Sequence, residues 1–198
     1  MTDALNSQRR IIVGISGASG AILGLKALEL LSRLDNTEIH LVMSRPAERT
    51  LRMEIGQDAA ERARSFAHAT HHIDNIGSAI ASGSFRADAM IIAPCSMRTL
   101  SAIAYGISDN LLTRSADVML KERRRLVLVA RETPLHGGHI EAMGRVTQFG
   151  AVVMPPVPAF YNRPTTLDEI VTQIVARALD LCGLPMDDVL IRWQGKED

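Results

Sequence analysis

The chain has few aromatic residues, few cysteines and no excess charge of either sign. Aromatic residues make up 4% of its 198 residues, so we expect a core of aliphatic side chains and alanine. The 22 basic residues are balanced by 22 acidic residues, which gives no support for binding to nucleic acid or to an anionic membrane. The cysteines, Cys95 and Cys182, show no CxxC spacing and favour a reducing, cytoplasmic setting. Residues 1–10 contain no apolar run of the kind that a leader has, and no segment has the length of a membrane span, so we expect neither.

Short apolar runs alternate with helical patterns along the chain. The pattern predicts strands at 11–14, 38–44, 89–94, 125–130 and 151–156. It predicts helices after the first strand and within 46–70, 97–121, 137–149 and 166–182. Near-continuous apolar runs are typical of parallel strands that are covered on both faces. We therefore expect an α/β fold with three layers, αβα, and a doubly wound parallel sheet, formed by residues 10–198 as one domain after a loose arm at residues 1–9.

The segment IIVGISGASG, residues 11–20, connects the first strand to a helix through a loop of small residues. Such a loop leaves backbone N–H groups free at a helix start and is a common cradle for phosphate. A nicotinamide dinucleotide is disfavoured because the glycine spacing is GxxGxxG and Ser16 stands where the second glycine is usual. The second strand also ends in Ser44 and Arg45 rather than in an acid that could bind a ribose.

Polar side chains follow the carboxyl ends of all five predicted strands. In doubly wound sheets, ligands bind beyond these ends, where the strand order reverses. Hydroxyls, backbone amides and arginines therefore meet at one edge of the predicted sheet, which favours a ligand that is phosphorylated and partly flat. The residues in question are Ser16–Ser19, Ser44, Arg45, Ser96, Arg98, Thr99, Arg131, Glu132 and Tyr161.

Several motifs in the chain closely resemble those of the UbiX-type flavin prenyltransferases, from about residue 10 to Trp193. They are IIVGISGASGA, LVMSRPAERTLRME, IASGSF, PCSMRTLS, LLTRSADVMLKERRRLVLVARETPLH and GAVVMPPVPAFYNRP. The resemblance implies a Rossmann-like or flavodoxin-like fold that binds FMN and assembles into a large homo-oligomer. It implies transfer of a dimethylallyl group from dimethylallyl phosphate to N5 and then C6 of reduced FMN. The product, prenylated FMN, would serve a UbiD-type decarboxylase.

The resemblance also assigns residues by position. It places FMN against Gly17, Ala18, Ser19, Ser44, Ser96, Met97, Arg98, Thr99 and Arg131. It places the prenyl phosphate against Arg114, Lys121, Arg131, Tyr161, Arg177 and Trp193. The catalytic candidates are Ser19, Glu54, Lys121 and Glu132.

These residue types suit the chemistry that the family performs. Preorganised cations neutralise a phosphate leaving group, and aromatic faces stabilise an allylic cation. A partly buried carboxylate, Glu54 or Glu132, can act as acid or base in the ring closure. Other interpretations stay open: Glu132 could form an ion pair with Arg131, and Trp193 could staple the C-terminal segment to a neighbour. A catalytic metal is not expected, because Asp187-Asp188 lacks the third acid of a diphosphate-binding motif.

Two other functions are compatible with such a scaffold. A flavoprotein that decarboxylates cysteine usually carries a PASANT-like motif and a catalytic histidine after the early helix. This chain has PCSMRTL in the place of that motif, and its segment after the second strand offers Glu54 rather than histidine. A carrier that binds FMN or prenylated FMN without reacting would need the phosphate loop only. We expect the transferase, because a carrier would require neither the arginines nor the loop that bears Tyr161.

Overall fold

The computed structural model describes residues 8–195, in which strands and helices alternate. The strands of this part of the chain are β1 (Arg9–Ile15), β2 (Thr37–Met43), β3 (Ala69–His71), β4 (Ala89–Cys95), β5 (Arg125–Ala130) and β6 (Val152–Val153). Its α-helices are α1 (Ala21–Leu31), α2 (Arg45–Glu54), α3 (Ala59–Ser65), α4 (Met97–Ala104), α5 (Leu111–Lys121), α6 (Gly137–Gln148) and α7 (Leu167–Leu181). A short 3₁₀ helix covers Ala79–Ala81.

The strands form one parallel sheet in the order β3-β2-β1-β4-β5-β6. The order reverses between β1 and β4, which are neighbours in the sheet although the chain crosses to β2 and β3 between them. This is the strand order of a doubly wound Rossmann-like fold, in which ligands bind where the order reverses. The predicted fold class is confirmed.

The side chains of β1 alternate between two apolar clusters, one on each face of the sheet. Ile11, Val13 and Ile15 pack with α1 and α7, whereas Ile12 packs with α4 and α5. Burial of each large aliphatic side chain contributes about 1.5–3 kcal/mol, so both helical layers are held mainly by such contacts. Gly14 lies where α5 approaches most closely, because a Cβ atom there would be 2.4 Å from Cδ1 of Leu112.

The elements differ from the sequence expectations in three details. The strand β3 was not predicted; it lies at the end of the region within which helices were expected, and it forms because it pairs with β2, with Ala69 opposite His40. The last strand is reduced to Val152–Val153, since Pro155 and Pro156 cannot donate to a ladder. Arg9 belongs to β1 rather than to the expected arm, of which residues 1–7 lie outside the described residues.

The helices are short relative to a membrane. Within residues 8–195, no helix has both the length and the apolar composition that a bilayer crossing requires.

Candidate functional site

A groove of about 540 Å³ lies at the carboxyl ends of β1, β2 and β4, where the strand order reverses. Its volume is in the range of small-molecule sites. Six of the residues named from the sequence line it, together with Pro46 and with residues from the segment after β3 and from the segment before α5. The lining residues are Gly17, Ser44, Arg45, Pro46, Ile73, Asp74, Ser96, Arg98, Thr99, Asp109 and Asn110.

Ser16 connects the two loops that border the reversal point. Its Oγ donates a hydrogen bond to the carbonyl of Pro94 at 2.8 Å and accepts one from the backbone N–H of Ser96 at 2.7 Å. The residue is 1% exposed, so its hydroxyl makes these bonds in a site that water does not reach. The serine at the position of the usual second glycine therefore ties the loop after β1 to the loop after β4.

Two helices begin at the groove, each with a serine cap. The side chain of Ser44 accepts a hydrogen bond from the N–H of Ala47 at the start of α2, and Ser96 accepts one from Thr99 at the start of α4. The helix dipoles direct partial positive charge toward the groove, and the uncapped amides of the first turns remain as donors. A phosphate group suits this pair of helix ends.

Gly17 lies against the first turn of α2. A Cβ atom at this position would be 2.3 Å from Cβ of Pro46, which is closer than any real contact of this kind. Because Pro46 is held in the helix, Gly17 allows the loop after β1 to approach α2 and to shape one wall of the groove.

Glu54, at the end of α2, binds the start of α1. Its Oε2 accepts hydrogen bonds from the backbone N–H groups of Gly20 and Ala21, both at 2.9 Å. A carboxylate of the chain itself thus occupies two backbone amides at the start of α1.

The environment of Glu54 keeps its carboxyl ionised. Burial by itself would raise the pKa of the Glu54 carboxyl. Interaction with the Ser19 hydroxyl, the bonds from Ala21 and Gly20, and the positive charge of Arg131 together outweigh burial, and the pKa lies below the ordinary glutamate value. Glu54 therefore interacts with the Ser19 hydroxyl and with the charge of Arg131.

A second group of sequence-predicted residues meets near the C-terminal segment. The rings of Tyr161 and Trp193 lie edge to face with centroids 5.6 Å apart, and the Tyr161 hydroxyl donates to the carbonyl of Ile191 at 3.1 Å. Tyr161 and Arg177 line a cavity of about 140 Å³. Arg177 forms an ion pair with Asp180, which also pairs with Arg192 at 2.7 Å.

Arg114 and Lys121 are not brought to either group within one chain. Arg114 donates to the carbonyl of Ala81 and pairs with Asp117 at 2.8 Å, and Lys121 pairs with Glu122. Lys121 lines a separate hollow, at the opposite end of α5 from the groove. An 11-residue helix is about 16 Å long, which is too far for a side chain to reach back.

The structure limits how Met97 can contact FMN and shows a different partner for Glu132. Met97 is 5% exposed, and its side chain packs in the core, so only its backbone can contact a ligand. Glu132 accepts a hydrogen bond from the N–H of Thr133 at 3.1 Å. No ion pair joins Glu132 to Arg131 in the part of the chain that the structure describes, and the alternative of a simple pair is not supported.

The sequence reasoning missed the acids that border the groove. Asp74 pairs with Arg45 at one side, and Asp109 pairs with Arg98 at 2.7 Å at the other. Asn110 caps α5 by accepting a bond from Thr113 at 3.1 Å. The pattern N-x-x-T before an apolar run could have identified Asn110 as a helix cap. No comparable pattern marks Asp74, because the short strand β3 that precedes it has no distinctive sequence.

No group of three or more histidine, cysteine, aspartate or glutamate side chains within residues 8–195 is arranged to hold a metal ion.

The two cysteines are buried, and burial raises the pKa of the Cys182 thiol to about 12 and that of the Cys95 thiol above its ordinary range.

Comparison with known proteins identifies the family. A family model described as Flavoprotein matches residues 2–179. Over 190 residues, the chain is 54% identical to the flavin prenyltransferase UbiX of Neisseria meningitidis serogroup B, covering 96% of this chain and 99% of that protein. The chain belongs to the UbiX family of flavin prenyltransferases.

Solved structures of UbiX relatives share the fold described above. AnUbiX, solved in complex with FMN and dimethylallyl pyrophosphate, matches with a TM-score of 0.91 and 50% identity, covering 96% of this chain and 100% of that one. A dodecameric FMN-dependent UbiX-like decarboxylase from Escherichia coli O157:H7 matches with a TM-score of 0.90 and 46% identity, covering 94% and 100%. The cysteine decarboxylase TvaF is 18% identical with a TM-score of 0.64, which shows the fold alone. The family named by the sequence motifs is confirmed, and the cysteine-decarboxylating alternative is not favoured.

Proposed function

We propose that this chain transfers a dimethylallyl group from a prenyl phosphate to reduced FMN, as a UbiX-type flavin prenyltransferase. The observation that carries the proposal is Glu54, an ionised carboxylate that Gly20 and Ala21 hold in place beside Ser19 and Arg131. A protein that only carries a flavin needs a phosphate cradle but has no use for a fixed base next to it. The complex of AnUbiX with FMN and dimethylallyl pyrophosphate supports the same class of substrates.

The groove where the strand order reverses suits FMN. Two helix N-termini and two serine hydroxyls converge on it, and they match a phosphate monoester with several acceptor oxygens. Gly17 lets the loop after β1 lie against α2, and the wall that they form together is proposed to face the flavin. The proposed FMN contacts are Gly17, Ala18, Ser19, Ser44, Ser96, the backbone of Met97, Arg98, Thr99 and Arg131.

Reduced FMN, when bound, supplies the nucleophilic ring for the alkylation. Around it, the chain must accept the proton that ring closure releases and must neutralise the departing phosphate. Glu54 is ionised and therefore fits the role of base, with the Ser19 hydroxyl beside it as a relay. Glu132, which lies directly after Arg131, is the second carboxylate that we propose takes part in the reaction.

The cluster of Tyr161, Trp193 and Arg177 is the proposed donor site. The two aromatic rings offer electron-rich faces to an allylic cation, and Arg177 can exchange Asp180 for the phosphate of the donor. Arg114 and Lys121 can contribute only if a second copy of the chain supplies them. We therefore propose a large homo-oligomer with shared sites, for which the dodecameric Escherichia coli relative is a precedent.

An anaerobic incubation with reduced FMN and dimethylallyl phosphate tests the proposal. The transferase forms a flavin whose mass is increased by the dimethylallyl group, which mass spectrometry detects. A carrier leaves both compounds unchanged, and that result would reject the transferase. Chelation of divalent metals in a parallel reaction tests the proposed independence of metals. Dimethylallyl diphosphate in a third reaction measures the preference between donors.

We further propose that the product passes to a UbiD-type decarboxylase in the cytoplasm. The two unpaired thiols of the chain fit a reducing compartment. Addition of the reaction mixture to a UbiD-type apoenzyme should restore decarboxylation of an aromatic or α,β-unsaturated acid. Failure to restore activity while the heavier flavin accumulates would contradict this recipient and leave the transfer reaction intact.

A further inference from the structure

A cleft rich in arginine lies at the amino ends of β1, β4 and β5, at the opposite edge of the sheet from the groove. Its volume is about 630 Å³. The arginines that line it are Arg9, Arg86, Arg123, Arg124 and Arg125, and we call it the arginine cleft. A seven-residue strand spans about 23 Å, so the cleft and the groove are separated by the length of β1.

The positive charge of the arginine cleft has little local compensation. Asp88 is the one acidic residue among the described residues that line it, and its carboxylate accepts a bond from the backbone N–H of Arg10 at 2.7 Å. No ion pair joins Arg9, Arg86, Arg123 or Arg125 to an acid within residues 8–195, and Arg124 has a long one, with Glu122 at 3.9 Å. The chain as a whole has zero net charge, so this concentration of one sign is a local property.

Backbone carbonyls accept the hydrogen bonds of two of these side chains. Arg124 donates to the carbonyls of Phe85 and Gly83, both at 2.7 Å, and Arg9 donates to Gly183 at 3.0 Å. Arg125 packs over Gly183 so closely that a Cβ atom there would lie 1.5 Å from its Nη1. Carbonyl partners orient a guanidinium group without neutralising its charge. The guanidinium groups of Arg9 and Arg125 both lie at Gly183.

We propose that the arginine cleft binds a small oligophosphate, a molecule with two or more linked phosphate groups. Guanidinium groups bind phosphate oxygens in pairs, and preorganised ones lose little entropy when they do so. A single phosphate cannot engage several arginines spread around 630 Å³, whereas a chain of phosphates can. The cleft is concave and has the size of a small-molecule site, while protein partners bind over larger and flatter surfaces. The bound ligand would tie together the amino ends of three strands and the segment after α7.

Isothermal titration of the FMN-loaded full chain with inorganic tripolyphosphate tests the proposal. We expect saturable binding at 0.15 M NaCl that weakens as the salt concentration rises, because charge pairing is screened. Arg86→Gln combined with Arg123→Gln should weaken binding at least tenfold. Both side chains are exposed and make no hydrogen bond to described residues, so the variant should fold and keep its FMN.

Arg49→Gln combined with Arg62→Gln is the matched control. These arginines are exposed on α2 and α3, outside the cleft, and their replacement removes the same charge. We expect the affinity of the control for tripolyphosphate to stay within twofold of the wild type. Equal losses in the two variants would overturn the proposal, since they would show a response to net charge only.

Three other results would also overturn it. One is the absence of saturable binding, and another is displacement of the probe by free FMN or dimethylallyl phosphate, which would place it in the groove or the donor site. The third is tighter binding of a peptide of eight glutamates than of tripolyphosphate. The cleft would then bind an acidic protein segment.

Discussion

Glu54, the last residue of α2, accepts a hydrogen bond at 2.9 Å from the backbone N–H of Ala21, the first residue of α1. The bond crosses the small-residue loop after β1 and joins the ends of two helices. It places a negative charge at the positive end of the α1 dipole, which stabilises the ionised form. The same carboxylate is thereby fixed beside Ser19 and Arg131, where a base for the proposed reaction is needed.

Glu54→Gln should keep FMN bound and slow turnover by at least a hundredfold. The amide oxygen of glutamine can still accept the bonds from Gly20 and Ala21, but the side chain no longer accepts a proton. We expect the FMN affinity to stay within threefold of the wild type. Turnover is measured as anaerobic product formation, followed by mass spectrometry. Glu48→Gln, on the same helix and paired with Arg64, is the control and should turn over normally. Normal product formation by Glu54→Gln would remove Glu54 from the mechanism.

Gly17→Ala should reduce FMN affinity at least tenfold. The new Cβ would lie 2.3 Å from Cβ of Pro46, so the loop or α2 must move and the groove changes shape. Fluorescence titration with FMN measures the effect. Gly144→Ala in α6 is the control: a Cβ there meets nothing within 4 Å, and alanine should stabilise the helix by up to about 1 kcal/mol. Unchanged FMN affinity in Gly17→Ala would show that the loop does not shape the flavin site.

Tyr161→Phe should shift the emission of Trp193 toward longer wavelength and raise KM for the prenyl donor. The change removes the bond from the Tyr161 hydroxyl to Ile191, which holds the segment that carries Trp193. Trp193 is the only tryptophan of the chain, so the emission reports on this segment alone. Tyr105→Phe loses a comparable bond to Glu141 away from the cluster and should change neither quantity. If KM rose without a shift in emission, the hydroxyl of Tyr161 would affect donor binding without holding the segment that carries Trp193.

Stability should fall as the pH decreases below about 6.5, the ordinary histidine value. Burial lowers the pKa of His40 and of His71, whose rings are linked at 3.0 Å. Glu38 opposes this effect on His40, while Arg10 and His68 add to it. The unfolded state therefore binds more protons, and stability that is complete above pH 6.5 is lost on acidification, by at most about 1.4 kcal/mol per pH unit for each proton.

Urea denaturation between pH 7.5 and 5 at fixed protein concentration measures this dependence. The pKa of Glu38 lies below the ordinary glutamate value, so its own contribution is lost at lower pH than this window. Replacement of both His40 and His71 by glutamine should flatten the profile. A wild-type stability that is constant across the window would contradict the prediction.

Thr166→Ala should reduce the free energy of unfolding by about 1 kcal/mol. Thr166 caps α7 by accepting a bond from the N–H of Glu169 at 3.1 Å, as half of a capping box. Thr147→Ala, within α6, loses only a bond to the carbonyl of Met143 and should not destabilise the protein, since alanine has the higher helix propensity. Equal destabilisation of the two variants would mean that the cap contributes nothing specific.

The sequence by itself determined the fold class, the family and the identity of the small-residue loop. Near-continuous apolar runs such as the one from Ile11 to Val13 predict buried parallel strands, because period and burial are local properties of the chain. Two serines at strand ends, Ser44 and Ser96, were found for the same reason, since the carboxyl ends of parallel strands share one edge of the sheet.

The tertiary structure alone decided which of these residues meet. Glu54 binds the backbone amide of Ala21 at the start of α1, a contact between residues 33 apart along the chain that no spacing rule encodes. The strand β3 exists only because β2 offers it a free edge, and Lys121 is carried away from the groove by the length of α5. Local patterns specify elements, but the contacts between distant elements arise only when the packed layers bring their ends together.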